Sequence, residues 1–119
     1  MAALAGVGIT KAIQASREES RRRDRPPEFN TRLTRHDFIA MPDQLANTSP
    51  RVIRAETEDL VVTIFVRSNS GLPIWSAVLD FNDYGQPTGR YWIRTDNDQS
   101  SIPEFIASSL QEQILQRVS

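Results

Sequence analysis

The sequence contains no cysteine, one lysine, one histidine and only two methionines in 119 residues. The missing cysteine excludes disulfides, thiol catalysis and cysteine-ligated zinc. With no cysteine and no second histidine, nothing pairs with His36 in a Cys–His couple or a histidine metal shell. His36-Asp37 could be read as an acid–base pair, but sequence neighbours point in different directions, and we read His36 as a surface or structural residue. With one lysine against thirteen arginines, the positive charge is carried by planar guanidinium forks suited to bidentate pairing. No G-x-S-x-G, phosphate-cradling glycine loop or dinucleotide fingerprint occurs. The apolar stretch at the N-terminus, Met1 to Ile9, is broken by Thr10 and Lys11. It is shorter than the roughly 20 residues that span a bilayer, and no basic segment precedes it as in a secretory signal. These features lead us to expect a cytoplasmic protein, with attachment to a membrane surface as the alternative.

What is present is ordinary in amount and uneven in distribution. Apolar content of 39% and charged content of 24% suit one globular domain with a single core. Residues 1–36 carry eight basic and four acidic side chains, and residues 37–119 carry six and eleven. The arm is therefore basic and the body acidic. An acidic body argues against broad contact with nucleic acid, which needs a basic face.

Residues 2–24 read as helix, rich in Ala, Gln, Glu and Arg and stopped by Pro26-Pro27. Glu18–Arg22 and Glu19–Arg23 have favourable i,i+4 spacing. Residues 25–50 show no period, although a short helix near His36–Ala40 or Asp43–Ala46 fits. Arg51–Thr57 reads as a weak strand. Leu60–Arg67 reads as a strong one, with Leu60, Val62, Ile64 and Val66 on an apolar face. Ile74–Asn82 and Arg90–Thr95 form a hairpin across the turn Asp83–Gly89. Its register pairs Asp80 with Trp92, Leu79 with Ile93 and Phe81 with Tyr91. Trp75, Leu79, Phe81, Tyr91 and Ile93 then face the core, while Val78, Asp80, Trp92 and Arg94 face outward. A last helix starts at Ser101-Ile102-Pro103-Glu104, where Ser101 and Glu104 have capping-box spacing. It presents Ile102, Ile106, Leu110, Ile114 and Val118 as one stripe.

The expected fold is α+β. It has an N-terminal helix or arm (1–27) and a domain (28–119). The domain holds a three- to four-stranded antiparallel meander and a C-terminal amphipathic helix packed on one sheet face. The acidic clusters, Asp80-x-Asn82-Asp83 and Asp96-Asn97-Asp98, read as turn and helix-flanking residues rather than a metal site. Tyr91 stands where a calcium loop needs a bidentate Glu. No cofactor is implied.

Two groups of side chains are candidates for binding. Trp92, Arg94, Arg90, Val78 and Phe65 combine aromatics with arginine on the outer sheet face, as at interface hot spots. The competing reading has Trp92 covered by residues 26–50. Arg21, Arg22 and Arg23 lie in the cluster REESRRRDR. They would offer an electrostatic contact to an anionic membrane surface or to nucleic acid through residues 1–25. Against that stands a solvated helix laced with its own ion pairs. The leading functional expectation is a small non-enzymatic protein-interaction module or accessory factor. A membrane-surface or nucleic-acid-associated protein working through its arginine-rich arm is the second reading.

Overall fold

The computed structural model describes residues 17–70, 73–97 and 99–118. The expectation for Met1–Ile9 and the first part of the N-terminal helix lies outside them. Residues 17–23 are helical (α1). There follow α2 (Arg35–Thr48), β1 (Val52–Glu58), β2 (Val61–Arg67), β3 (Ile74–Asp80), β4 (Trp92–Thr95) and α3 (Ile102–Val118). The strands form one antiparallel meander in the order β1-β2-β3-β4. The fold is α+β, as the alternation of apolar and polar residues implied.

Alternation along β2 and β3 sets the two faces. Val62, Ile64, Val66, Ala77 and Leu79 are buried on the inner face, against α2 and α3. The hairpin register is the expected one, with Leu79 opposite Ile93 and Asp80 opposite Trp92. On α3, Ile106, Ala107, Leu110 and Ile114 are buried at the i,i+4 spacing that defines the stripe. α3 lies over β3 and β4 and α2 over β1, and the two helices touch. An aromatic series joins the layers: Phe29 meets Phe38, Phe38 meets Phe81, and Phe81 meets Tyr91, with ring centroids 5.7–6.0 Å apart.

Two local expectations need correction. In place of two short helix candidates there is one continuous helix, α2, with Pro42 inside it. Proline forfeits one helix hydrogen bond, but the Pro42 ring is fully buried in the core. The helix is started by a capping box. The Asp37 N–H donates to Thr34 Oγ1 at 3.1 Å, and the Thr34 N–H donates to the Asp37 carboxylate at 3.3 Å. The second correction concerns α3, where Glu104 accepts from the Tyr91 hydroxyl rather than closing the expected box with Ser101. Its first turn is supported by the Ser100 hydroxyl, which accepts from the Ile102 N–H at 3.3 Å.

The β3–β4 connection contains a tight turn, Asp83 to Gln86. Tyr84 and Gly85 both have positive φ (55° and 85°), the signature of a type I′ turn. Its outer surface is pressed by the chain between α1 and α2. The Glu28 N–H donates to Gly85 O at 2.8 Å. A Cβ on Gly85 would lie 2.8 Å from Pro26 O. Residues 24–28 thus form a strap that carries the chain around this turn, from α1 outside the sheet to Phe29 and Leu33 on the inner side.

Candidate functional site

Strand pairing arranges the outer face in rows. Arg54, Phe65 and Ser76 form one row, Glu56, Thr63, Val78 and Arg94 the next, and Glu58, Val61, Asp80 and Trp92 the third. All five of the expected outer-face residues fall in this region: Phe65, Val78, Trp92 and Arg94 on the strands, and Arg90 beside Trp92.

Trp92 is half-buried, and residues 26–50 are not what stacks on it. Arg22 from α1 lies over its ring at 3.6 Å from the centroid, and Arg90 lies at 5.1 Å. Arg54 stacks over Phe65 at 4.0 Å. A guanidinium over an aromatic face is attracted by the ring quadrupole, more strongly when desolvated.

Arg22 is only 5% exposed and Asp80 only 3%. Arg22 Nη1 donates to Asp80 Oδ2 at 3.2 Å and to Asn82 O at 3.0 Å. Arg23 donates to the same carboxylate oxygen through Nε at 3.0 Å and Nη2 at 2.8 Å. Asp80 Oδ1 accepts from the Asn82 N–H at 2.9 Å, and Asn82 Oδ1 from the Gly85 N–H at 2.7 Å. The Asp80-x-Asn82 pair therefore holds the turn and two arginines. Asp83 accepts from Thr88 Oγ1 at 2.8 Å. Among the described residues no group of three or more His, Cys, Asp or Glu side chains could hold a metal ion.

The arginine-rich helix is thus not simply a solvated face. The Glu19–Arg23 pair forms at 3.0 Å, and Glu19 also meets Arg94 at 3.5 Å. Arg22 turns from Glu18 toward the sheet. Arg17, Arg21 and Arg25 remain exposed. No sequence pattern distinguishes Arg22 from its neighbours Arg21 and Arg23. The signal was on the other side, in an Asp facing a Trp across a sheet with no cation of its own strand nearby.

Depressions flank α1, and two of them reach the strand floor. One, of about 290 Å³, has Val78 and Trp92 as its floor and Glu18, Glu19 and Arg94 at its rim. The other, of about 870 Å³, lies between the strap and the β1–β2 side, with Val61 and Thr63 below and Glu56 and Glu58 beside.

Elsewhere, His36 is exposed at the start of α2. Its neighbour Asp37 is engaged by Thr34 and by Arg117 at 3.1 Å. The Thr34 hydrogen bonds, with the charges of Arg117 and His36 adding to them, hold the Asp37 carboxyl below the usual carboxylate range. The Tyr91 hydroxyl donates to Glu104, which raises its pKa above the usual phenol value, although Ser108 opposes the shift. The His36-Asp37 pair is thus split between solvent and a helix cap.

No helix among the described residues is long and apolar enough to cross a membrane. The chain matches no protein-family model, and no curated protein or solved structure matches it.

Proposed function

We propose that this protein is a non-catalytic interaction module that docks another protein on its outer sheet face. The observation that carries the reading is the half-covered aromatic–arginine strip Phe65–Val78–Trp92. Among the described residues α1 lies against its Trp92 end, and Arg54, Arg90 and Arg94 lie along it. Aromatic and arginine side chains dominate binding energy where they are packed but reachable. The Arg90 and Arg94 side chains are 70% and 69% exposed, in long ion pairs of 3.9 and 3.5 Å. Surface pairs of this kind are worth little, so a partner's carboxylate could replace the present one at small cost. The 290 Å³ depression over Val78 and Trp92 sits at the lower limit of drug-sized pockets, about 300 Å³. It suits one inserted apolar side chain better than a cofactor.

The alternative, contact with an anionic membrane surface or nucleic acid through residues 1–25, is weakened because Arg22 and Arg23 are engaged by Asp80. The test is affinity capture from the native host with the parent chain, Phe65→Asp and Arg94→Glu, each checked for an unchanged thermal transition. Loss of the captured protein by about tenfold or more in both variants is the expected result. Capture that ignores both substitutions would remove this face as the contact.

A further inference from the structure

We infer that the open half of the outer face receives α1 from a second copy of this chain. The inference deepens the interaction reading and rests on it. Among the described residues, each copy covers the β3–β4 half of its own outer face, where Arg22 meets Trp92, Arg23 meets Asp80 and Glu19 meets Arg94. Over β1–β2 lies the groove of about 870 Å³, where Val61 and Thr63 are half-exposed among the described residues.

The charges of groove and helix are complementary. Glu58 lines the groove and has no ion-pair partner among the described residues. Glu56 and Asp59 line it too, in exposed pairs with Arg54 and Arg35, and with Asp24 the lining carries four acidic side chains against two arginines, Arg23 and Arg25. On the helix, Arg17 and Arg21 are exposed and have no ionic partner among the described residues. The same polarity runs through the whole chain, with a surplus of four positive charges in residues 1–36 and five negative in residues 37–119.

The geometry closes with simple symmetry. A two-fold axis parallel to the strands sets β1–β2 of one copy opposite β3–β4 of the other. The position along the strands is preserved, so each α1 arrives over the partner's Glu56, Glu58, Val61 and Thr63. Two helices about 10 Å thick then lie side by side in one layer between two sheets. The contact is isologous and self-limiting, giving a closed dimer rather than a fibre. Its apolar floor is small, so charge contributes much of the attraction, and added salt weakens it.

Sedimentation equilibrium of the full chain, from about 1 µM to about 1 mM, provides the test. The expected result is a monomer–dimer equilibrium whose dissociation constant rises at least about tenfold in Arg21→Glu and in Glu58→Arg. The two reversals combined in one chain should restore it to within about threefold of the parent. Both side chains are exposed, and a thermal melt of each variant checks that it folds. A monomer throughout this range overturns the proposal, as does a dimer indifferent to either reversal or not restored by the combination. If the chain is monomeric while host-protein capture still depends on Phe65 and Arg94, the second copy is refuted and the interaction reading stands. If both are absent, both fall.

Discussion

Asp80→Ala removes the carboxylate on which Arg22 and Arg23 of α1 converge. The carboxylate is 3% exposed and is the shared acceptor for Arg22 and Arg23, and it also holds the Asn82 N–H. Removing it leaves the Arg22 guanidinium buried, with Asn82 O as its remaining hydrogen-bond acceptor. Arg22 Nε has no hydrogen-bond partner even in the intact chain. Breaking a buried ion pair from one side costs about 3–5 kcal/mol. The Arg23 side chain is 34% exposed, and water can replace part of what it loses. We therefore place the total near the lower end, at about 3–4 kcal/mol. That is a large fraction of a domain stability of about 5–15 kcal/mol.

Urea unfolding followed by Trp92 fluorescence reads the effect. Trp75 is first replaced by Phe, and no hydrogen bond is lost by doing so because Trp75 Nε1 has no partner. With a slope of about 1–3 kcal/mol/M, the midpoint should fall by about 2 M. The reasoning makes a second demand. Asp80→Leu combined with Arg22→Met removes both charges and should be less destabilising than Asp80→Ala alone, since an unpaired buried charge is the main cost. A cost below about half a kcal/mol for Asp80→Ala would mean that Arg22 is not held against the sheet.

Three further outcomes follow from other parts of the molecule. Ile106→Ala and Leu110→Ala should each cost about 2–5 kcal/mol in the same urea assay, because both side chains are buried between α3 and the sheet. Gly85→Ala should destabilise by about 1 kcal/mol or more, since φ is +85° and the new Cβ would press on Pro26 O at 2.8 Å. A neutral result would release the strap from the turn. The lowered pKa of Asp37 gives a stability contribution that is complete above the ordinary carboxylate value and is lost as pH falls through the lowered folded value. Asp37→Asn should therefore flatten the acid limb of a plot of Tm against pH, and an unchanged limb would contradict the cap.

Much of this architecture can be read from residue order. The β3–β4 register follows from placing Asp83–Gly89 at the turn, and the inner face from the alternation of Val62, Ile64 and Val66. The α3 stripe needs only the spacing of Ile106, Leu110 and Ile114. These features depend on local period, which sequence carries directly. Arg22 depends on a contact 58 residues away along the chain, and it sits among neighbours of the same type. Nothing local separates the buried arginine from the exposed ones. The continuous α2 was obscured by Pro42, whose burial offsets the hydrogen bond it forfeits. Its start was in principle legible, since Thr34 and Asp37 have the spacing of a capping box. Trp92 lies on the outer face, as the register implies, but the group stacked on it comes from the arm rather than from residues 26–50.

The central claim is that the outer sheet face is where this protein meets its partner. Site-specific photo-crosslinking in the native host tests it most directly, with the reactive side chain placed at Thr63 on the outer face or at Ser108 on the exposed side of α3. The account predicts a discrete adduct from position 63, and none from position 108. Adducts from position 108 with none from position 63 would contradict it and move the contact to the opposite side of the molecule.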